Sequence, residues 1–363
     1  MNAETGSPEP DRSPADLSFD EVAQPDELAR AEALRLHSTL VKPPGSLGKL
    51  EELGAWIAAC QGRPTPRPFT RARVIVFAGD HGIAAHGVSA NPPEATGQLL
   101  GVMLNGGAAI NVLASTAGAS VRVVDIAVDN DGAEAGVSEF KVRRGSGSID
   151  REDALSDAEV HAALRAGRQI ADAEVDGGAD LLVAADLGVG GSTVASTLIA
   201  ALTGAEPVAV IGRGSGIDDH GWMRKAAAVR DALRRARTAL SDPVDLLRTS
   251  GGADVAAMTG FLAQAAIRRT PVLLDGLTVG AAALVAEELA PGARSWWVAA
   301  HRSSEPAHAM VLEHLDLEPL QDLDIRLGEG AGAASALPLL FMSARLLAEM
   351  ATREQAGVTD PTG

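Results

Sequence analysis

Six short apolar runs punctuate the middle of this 363-residue chain, each closed by glycine or a polar cluster and followed by helical periodicity. They are Val74 to Ala78, Val121 to Ala127, Leu181 to Ala185, Val208 to Ile211, Val272 to Leu274 and Trp296 to Ala300. Strands buried on both faces are nearly continuous in apolar residues, and their alternation with helices calls for right-handed crossovers in a mostly parallel sheet. The pattern predicts a doubly wound α/β domain of about six strands over residues 71–301. The flanks are different in kind. Helical periodicity begins after Pro25, with Leu28, Ala31 and Leu34 three apart, and a second short helix is expected from Leu50 to Cys60. Residues 1–24, acidic and with Pro8, Pro10 and Pro14, predict a disordered tail.

The segments that follow the runs hold most of the unusual polar residues. They are Gly79-Asp80-His81-Gly82, Asp186 to Thr193, Gly212 to Asp219, Asp275-Gly276 and His301 to Pro306. Open α/β sheets bind ligands outside the carboxyl ends of their strands, so these segments should share one edge.

Gly188, Gly190 and Gly191 precede Ser192 and Thr193 at the start of a helix, where backbone amides and hydroxyls can hold a phosphate. No lysine precedes the hydroxyl pair, so this is not a P-loop, and an ordinary turn accounts for it equally well. Arg213 and Ser215 lie among Gly212, Gly214 and Gly216, with Lys225 further along the next helix. These cations fit an anion site; a surface ion pair with Asp218 or Asp219 is the competing reading. Near the end of the chain, Glu329 stands between Gly328 and Gly330 where a loop becomes a helix. A carboxylate in so small a setting suits a general base, since partial burial raises its proton affinity. A favourable place in the first turn of a helix accounts for the same residue.

Composition narrows the partners. A formal charge of −17 repels phosphate backbones, and aromatic residues at 3% with no tyrosine make a poor stacking platform, so nucleic acid is not an expected partner. The single cysteine, Cys60, permits neither an intrachain disulfide nor a thiolate metal cluster, in keeping with a cytoplasmic setting. His81 and His86 lack further ligands at recognisable spacing, so no metal site is expected. No signal-type leader is visible, and no uninterrupted apolar run is long enough to read as a membrane span, with Leu277 to Ala286 among the longest.

Together the motifs resemble the nicotinate-nucleotide:dimethylbenzimidazole phosphoribosyltransferase family. The resemblance spans about Lys42 to Leu340 and rests on Lys42 to Glu51 (KPPGSLGKLE), Phe77 to Gly82, Gly212 to Asp219, Asp275-Gly276, His301 to Pro306 and Leu327 to Gly330. It implies a Rossmann-like domain with a smaller helical domain built from both chain ends, residues 25–70 and 302–355, and transfer of the 5-phosphoribosyl group of nicotinate mononucleotide to a benzimidazole base by a homodimer, without metal or organic cofactor. Glu329 then becomes the base that takes the benzimidazole proton. Gly188 to Thr193 and Gly212 to Gly216 would face the ribose phosphate with Lys225 nearby. Asp186 would lie close to the ribose or base. The loop from Ser89 to Gln98, after Asp80 and the first strand, would wall the base pocket. The chain departs from the family's usual Glu-Met-Gly-Ile-Gly-Asn-Thr-Thr at Asp186 to Thr193, from a usual glutamate at Asp254, and from the usual pocket loop at Asn91-Pro92-Pro93. Another acceptor or donor, or a nucleotide-binding relative without turnover, therefore stays open beside the first reading.

Overall fold

The structure, a computed structural model, describes residues 18–131 and 136–359. Two helices, α1 (Glu27–Thr39) and α2 (Lys49–Gln61), lead into strand β1 (Ala72–Gly79). Helices α3 (Ala95–Leu104) and α4 (Ala109–Thr116) cross to β2 (Ser120–Ala127), and α5 (Asp157–Asp176) crosses to β3 (Leu181–Leu187). Then come α6 (Gly191–Thr203), α7 (Asp219–Ala236), α8 (Pro243–Ser250) and α9 (Ala253–Ile267) before β4 (Val272–Leu274). Helix α10 (Leu277–Leu289) leads to β5 (Trp297–Ala299), and α11 (Pro306–Leu315), α12 (Ala331–Glu349) and α13 (Arg353–Ala356) close the chain.

All the strand pairings are parallel, in the order β2-β1-β3-β4-β5. The chain leaves β1 toward one edge and returns to β3 on its other side, so the order reverses between β1 and β3. A crevice opens outside the strand ends at such a switch point. Residues of β1 alternate between layers: Ile75 and Phe77 join the core formed with α5, α6, α9 and α10, while Val74, Val76 and Ala78 join that of α3, α4 and α12. On the first face α5 and α9 touch at their backbones. A Cβ on Gly167 would lie 1.8 Å from the Ala257 carbonyl and one on Gly260 2.2 Å from that of Leu164, so both positions demand glycine.

Val208 to Ile211 is not a strand. It follows Pro207 in a short 3-10 turn, and its buried carbonyls are taken by side chains, Ser196 Oγ on Val210 O at 2.9 Å and Trp222 Nε1 on Ile211 O at 3.2 Å. Those two carbonyls are bonded to side chains rather than to a neighbouring strand, and among the described residues the sheet has five strands rather than about six.

Two boundaries differ from the sequence expectation. Residues 1–17 lie outside the described part, but the rest of the predicted tail is packed: Val22 is buried in the core and Trp296 Nε1 donates to Ala23 O at 2.8 Å. Helix α11, assigned by position to the small helical domain, instead packs through Ala307, Val311 and Leu315 against α10 and α6. Helices α1, α2 and α12 do pack on one another. Two stretches, Ala95–Thr116 and Ala331–Glu349, have the length and hydropathy of a bilayer span, although serines, asparagine and glycines keep either from being an uninterrupted apolar run. The first divides at Gly106, with φ +77, into α3 and α4; the second buries Ala333, Leu337 and Leu340 against the sheet.

Candidate active site

The segments that follow β1, β3, β4 and β5, together with the loop before α12, line a cavity of ≈550 Å³. Its floor is the turn after β3. There a Cβ on Gly188 would strike the Gly79 carbonyl at 2.2 Å, so the two strand ends are in backbone contact. Gly190, with φ +94, caps α6, and Val189 N donates to Thr96 Oγ1 at 3.0 Å. Gly188, Val189, Gly190 and Ser192 line the cavity at the N-terminal end of α6, where the helix dipole favours an anion. Lys225 stands behind this turn, fully buried, and donates to Ser192 Oγ at 3.0 Å. Burial pulls its ammonium down to about 8, against the opposing attraction of Glu305. Glu305 accepts from Gly214 N at 2.9 Å, fixing the glycine loop beside Ser192.

The opposite wall carries Glu329. Gly328, Glu329 and Gly330 have φ of +73, +57 and +79, three consecutive left-handed residues. Glycine adopts this conformation freely, but glutamate does so at a cost of about 1–2 kcal/mol. The turn is held by Asp275, wholly buried at the end of β4, which accepts from Gly330 N at 3.0 Å and Ala333 N at 2.9 Å. Burial opposes Asp275's charge, yet His301, with Nε2 at 3.4 Å, and these amides hold its carboxyl below the usual range.

Beside Asp275, Glu329 and Asp186 have raised proton affinity. Burial, and then the nearby Asp275 charge, raise Glu329 above the ordinary glutamate range. Asp186, whose Oδ1 lies 3.1 Å from where a Cβ on Gly328 would be, is pushed by burial and by Asp275 to about 7. The site therefore has a fixed anion, Asp275, beneath two groups that exchange protons nearer neutrality.

Of the residues singled out in the sequence, Ser89, Asp186, Gly188, Gly190, Ser192, Gly214, Ser215, Gly328 and Glu329 line this one cavity. The others do not reach it. Lys225 acts through Ser192, and Gly191 is turned toward His81, whose Nε2 is 3.6 Å from its would-be Cβ. Asp80 is buried and accepts from Asp129 N at 2.8 Å, and Gln98 is exposed on α3. Arg213 pairs with Asp219 Oδ1 at 2.6 Å and lines a neighbouring hollow. That contact is the ion pair weighed against an anion site in the sequence.

Thr278, Ser303, Glu305, Ile325 and Arg326 also line the cavity and were not named as site residues. Glu305 belongs to a motif already noted, and its oxygens are too buried for an ordinary surface acid. His81 and His86 go to separate partners, Asp254 Oδ2 at 3.2 Å and Asp150 Oδ2 at 3.1 Å, as strand-end and loop contacts rather than a shared ligand set. Cys60 is packed and burial raises its thiol well above the usual range, which fits packing rather than nucleophilic chemistry.

Comparisons with known proteins agree on one family. A sequence-family profile described as a phosphoribosyltransferase matches residues 22–358. Nicotinate-nucleotide–dimethylbenzimidazole phosphoribosyltransferase of Mycobacterium avium (strain 104) is 60% identical over 346 residues, covering 95% of this chain and 99% of that protein. The protein of the same name from Mycobacterium tuberculosis (strain ATCC 25618 / H37Rv) is 59% identical over 343 residues, covering 94% and 95%. Among solved structures, CobT from Thermus thermophilus superposes with a TM-score of 0.88 at 42% identity, over 92% of this chain and 100% of that one.

Proposed function

This chain belongs to that phosphoribosyltransferase family, and on this premise we propose that it moves the 5-phosphoribosyl group of nicotinate mononucleotide onto 5,6-dimethylbenzimidazole. Nicotinate leaves, and α-ribazole 5'-phosphate forms. The observation that carries the reading is the pairing, in one cavity, of a glycine-rich helix start backed by Lys225 with a carboxylate of raised proton affinity, Glu329.

In this reading the donor phosphate rests against Gly188 to Ser192 and Gly214 to Ser215, where backbone amides and the Lys225–Ser192 pair neutralise it. The base lies between this cradle and Glu329. Its ring N–H gives a proton to the Glu329 carboxylate while its other ring nitrogen bonds to C1' of the ribose, as the C1'–nicotinate bond breaks. The departing ring loses its positive charge and needs no acid. Protein work is then orientation, proton removal and shelter of an oxocarbenium-like centre beside the carboxylates. Asp186, one methylene shorter than the family's usual glutamate, sits where it can face the ribose.

The test is a mass-resolved assay of nicotinate mononucleotide with 5,6-dimethylbenzimidazole, run beside Glu329→Gln. Ribazole phosphate from the unmodified protein, reduced roughly a hundredfold or more in the variant, is the expected result. A folded protein that makes no product would sink this substrate pair. Other bases and donors, assayed in the same way, then become the candidates. The reading also carries assembly as a homodimer, which light scattering would check.

A further inference from the structure

Two loops meet over the mouth of the cavity through one hydroxyl. Ser215, in the glycine loop before α7, has its Oγ 3.0 Å from Ser89 Oγ and accepts from Ala90 N at 2.9 Å. Ser89 in turn accepts from Asn91 N at 3.2 Å. A second tie runs alongside, from Arg224 Nε on α7 to Gly87 O at 3.0 Å. Residues 87–91 are therefore suspended from the segment that starts at Gly212. That segment is itself anchored to the buried Glu305 through Gly214 N.

We propose that Ser215 is a positioning residue that couples the two substrates, so that phosphate bound on one loop steadies the acceptor pocket formed by the other. This rests on the function proposed above and on the valence of the hydroxyl. A serine hydroxyl accepts two hydrogen bonds and donates one. Ala90 N–H and Ser89 O–H can fill both acceptor sites, which leaves the Ser215 proton for an oxygen within the cavity that both serines line. A phosphate oxygen taking that proton polarises Ser215 Oγ and strengthens both bonds to the Ser89 loop. Binding of the donor then tightens binding of the base, and by linkage the base tightens the donor by the same factor.

Ribose 5-phosphate, which has no leaving group, is the probe for the donor side. Calorimetric titration of 5,6-dimethylbenzimidazole with and without saturating ribose 5-phosphate should show tighter binding by about 3- to 10-fold when the phosphate is present, the range expected of one or two hydrogen bonds. Ser215→Ala should bring that factor to about 1 and raise the KM for the base more than it lowers kcat. Ser215→Thr keeps the hydroxyl and should restore the coupling. Arg224→Ala, which cuts the second tie, should weaken it in part. A factor of about 1 in an unmodified protein that does transfer phosphoribose, a factor unmoved by Ser215→Ala, or a threonine variant no better than alanine would each overturn the coupling. Absence of transfer by the unmodified protein overturns the function itself, and the coupling with it.

Discussion

Asp275 accepts the backbone N–H of Gly330 at 3.0 Å, and so the acid at the end of β4 holds the residue that follows Glu329. Its other oxygen takes Ala333 N at 2.9 Å, which makes it the cap of α12 from another part of the chain. The side chain has no exposure, so these bonds have no water to replace them. Asp275→Ala should therefore destabilise the protein by about 2–4 kcal/mol, the cost of leaving buried amides unpaired together with a lost cap. Denaturant titration measures this. Below the midpoint, kcat should fall much more than KM changes, since the turn that aims Glu329 loses its anchor.

The pH profile of kcat/KM should have two limbs. A base must be unprotonated, so activity should rise through the Glu329 titration, which burial and Asp275 place above the ordinary glutamate range. Lys225 must be charged to serve the donor phosphate, so activity should fall again around pH 8, where burial has brought its ammonium. Lys225→Met should remove the alkaline limb and raise the donor KM by about 10- to 100-fold, as expected for a lost charged hydrogen bond. A profile that stays flat well above the Lys225 titration in the unmodified protein would contradict the role given to that lysine.

Asp186 should make the protein less stable as pH rises. Its folded value of about 7 lies above the ordinary 3.8, so the folded state holds its proton more firmly than the unfolded chain does. The stability it contributes is full below about pH 4 and is lost between about 4 and 7. Asp186→Asn keeps the shape without the charge. It should be nearly neutral for stability at about pH 4 and stabilising by up to roughly 4 kcal/mol at about pH 8. Urea midpoints of both proteins at the two pH values decide it, and equal differences at both would remove the case for a buried, protonated Asp186.

The five strands were legible because buried parallel strands leave continuous apolar runs, a signal local to each segment. Val208 to Ile211 gives the same signal for another reason: Val210 and Ile211 are buried, but beneath α6 and α7 rather than in the sheet. What separates the cases is the side-chain donors Ser196 and Trp222, and no window around residue 210 reveals that pairing. The site divides in the same way. Glu329 was marked by the glycines on either side, and the α6 turn by its own composition. Asp275, Glu305 and Thr278 owe their roles to partners far along the chain or to a cavity that exists only after folding. For Arg213 the local sequence offered both an anion site and an ion pair with Asp218 or Asp219, and folding brings Asp219 to it.

Glu329 itself should be a residue that the fold would be more stable without. Its φ of +57 lies where glycine is at ease and a Cβ is not, and its carboxyl is partly desolvated beside the fixed charge of Asp275. Glu329→Gly relieves both effects and should raise stability by about 1 kcal/mol, after the added entropy of a glycine in the unfolded chain is set against the strain removed. Glu329→Ala relieves only the charge and should lie between glycine and the unmodified protein. Both should be inactive in transfer. Activity and stability then move in opposite directions at one residue, as expected where strain is retained for function. Urea denaturation of the three proteins at about pH 8 measures the order. If the glycine variant proves the least stable, the left-handed turn is favoured by contacts of the Glu329 side chain rather than tolerated for its chemistry.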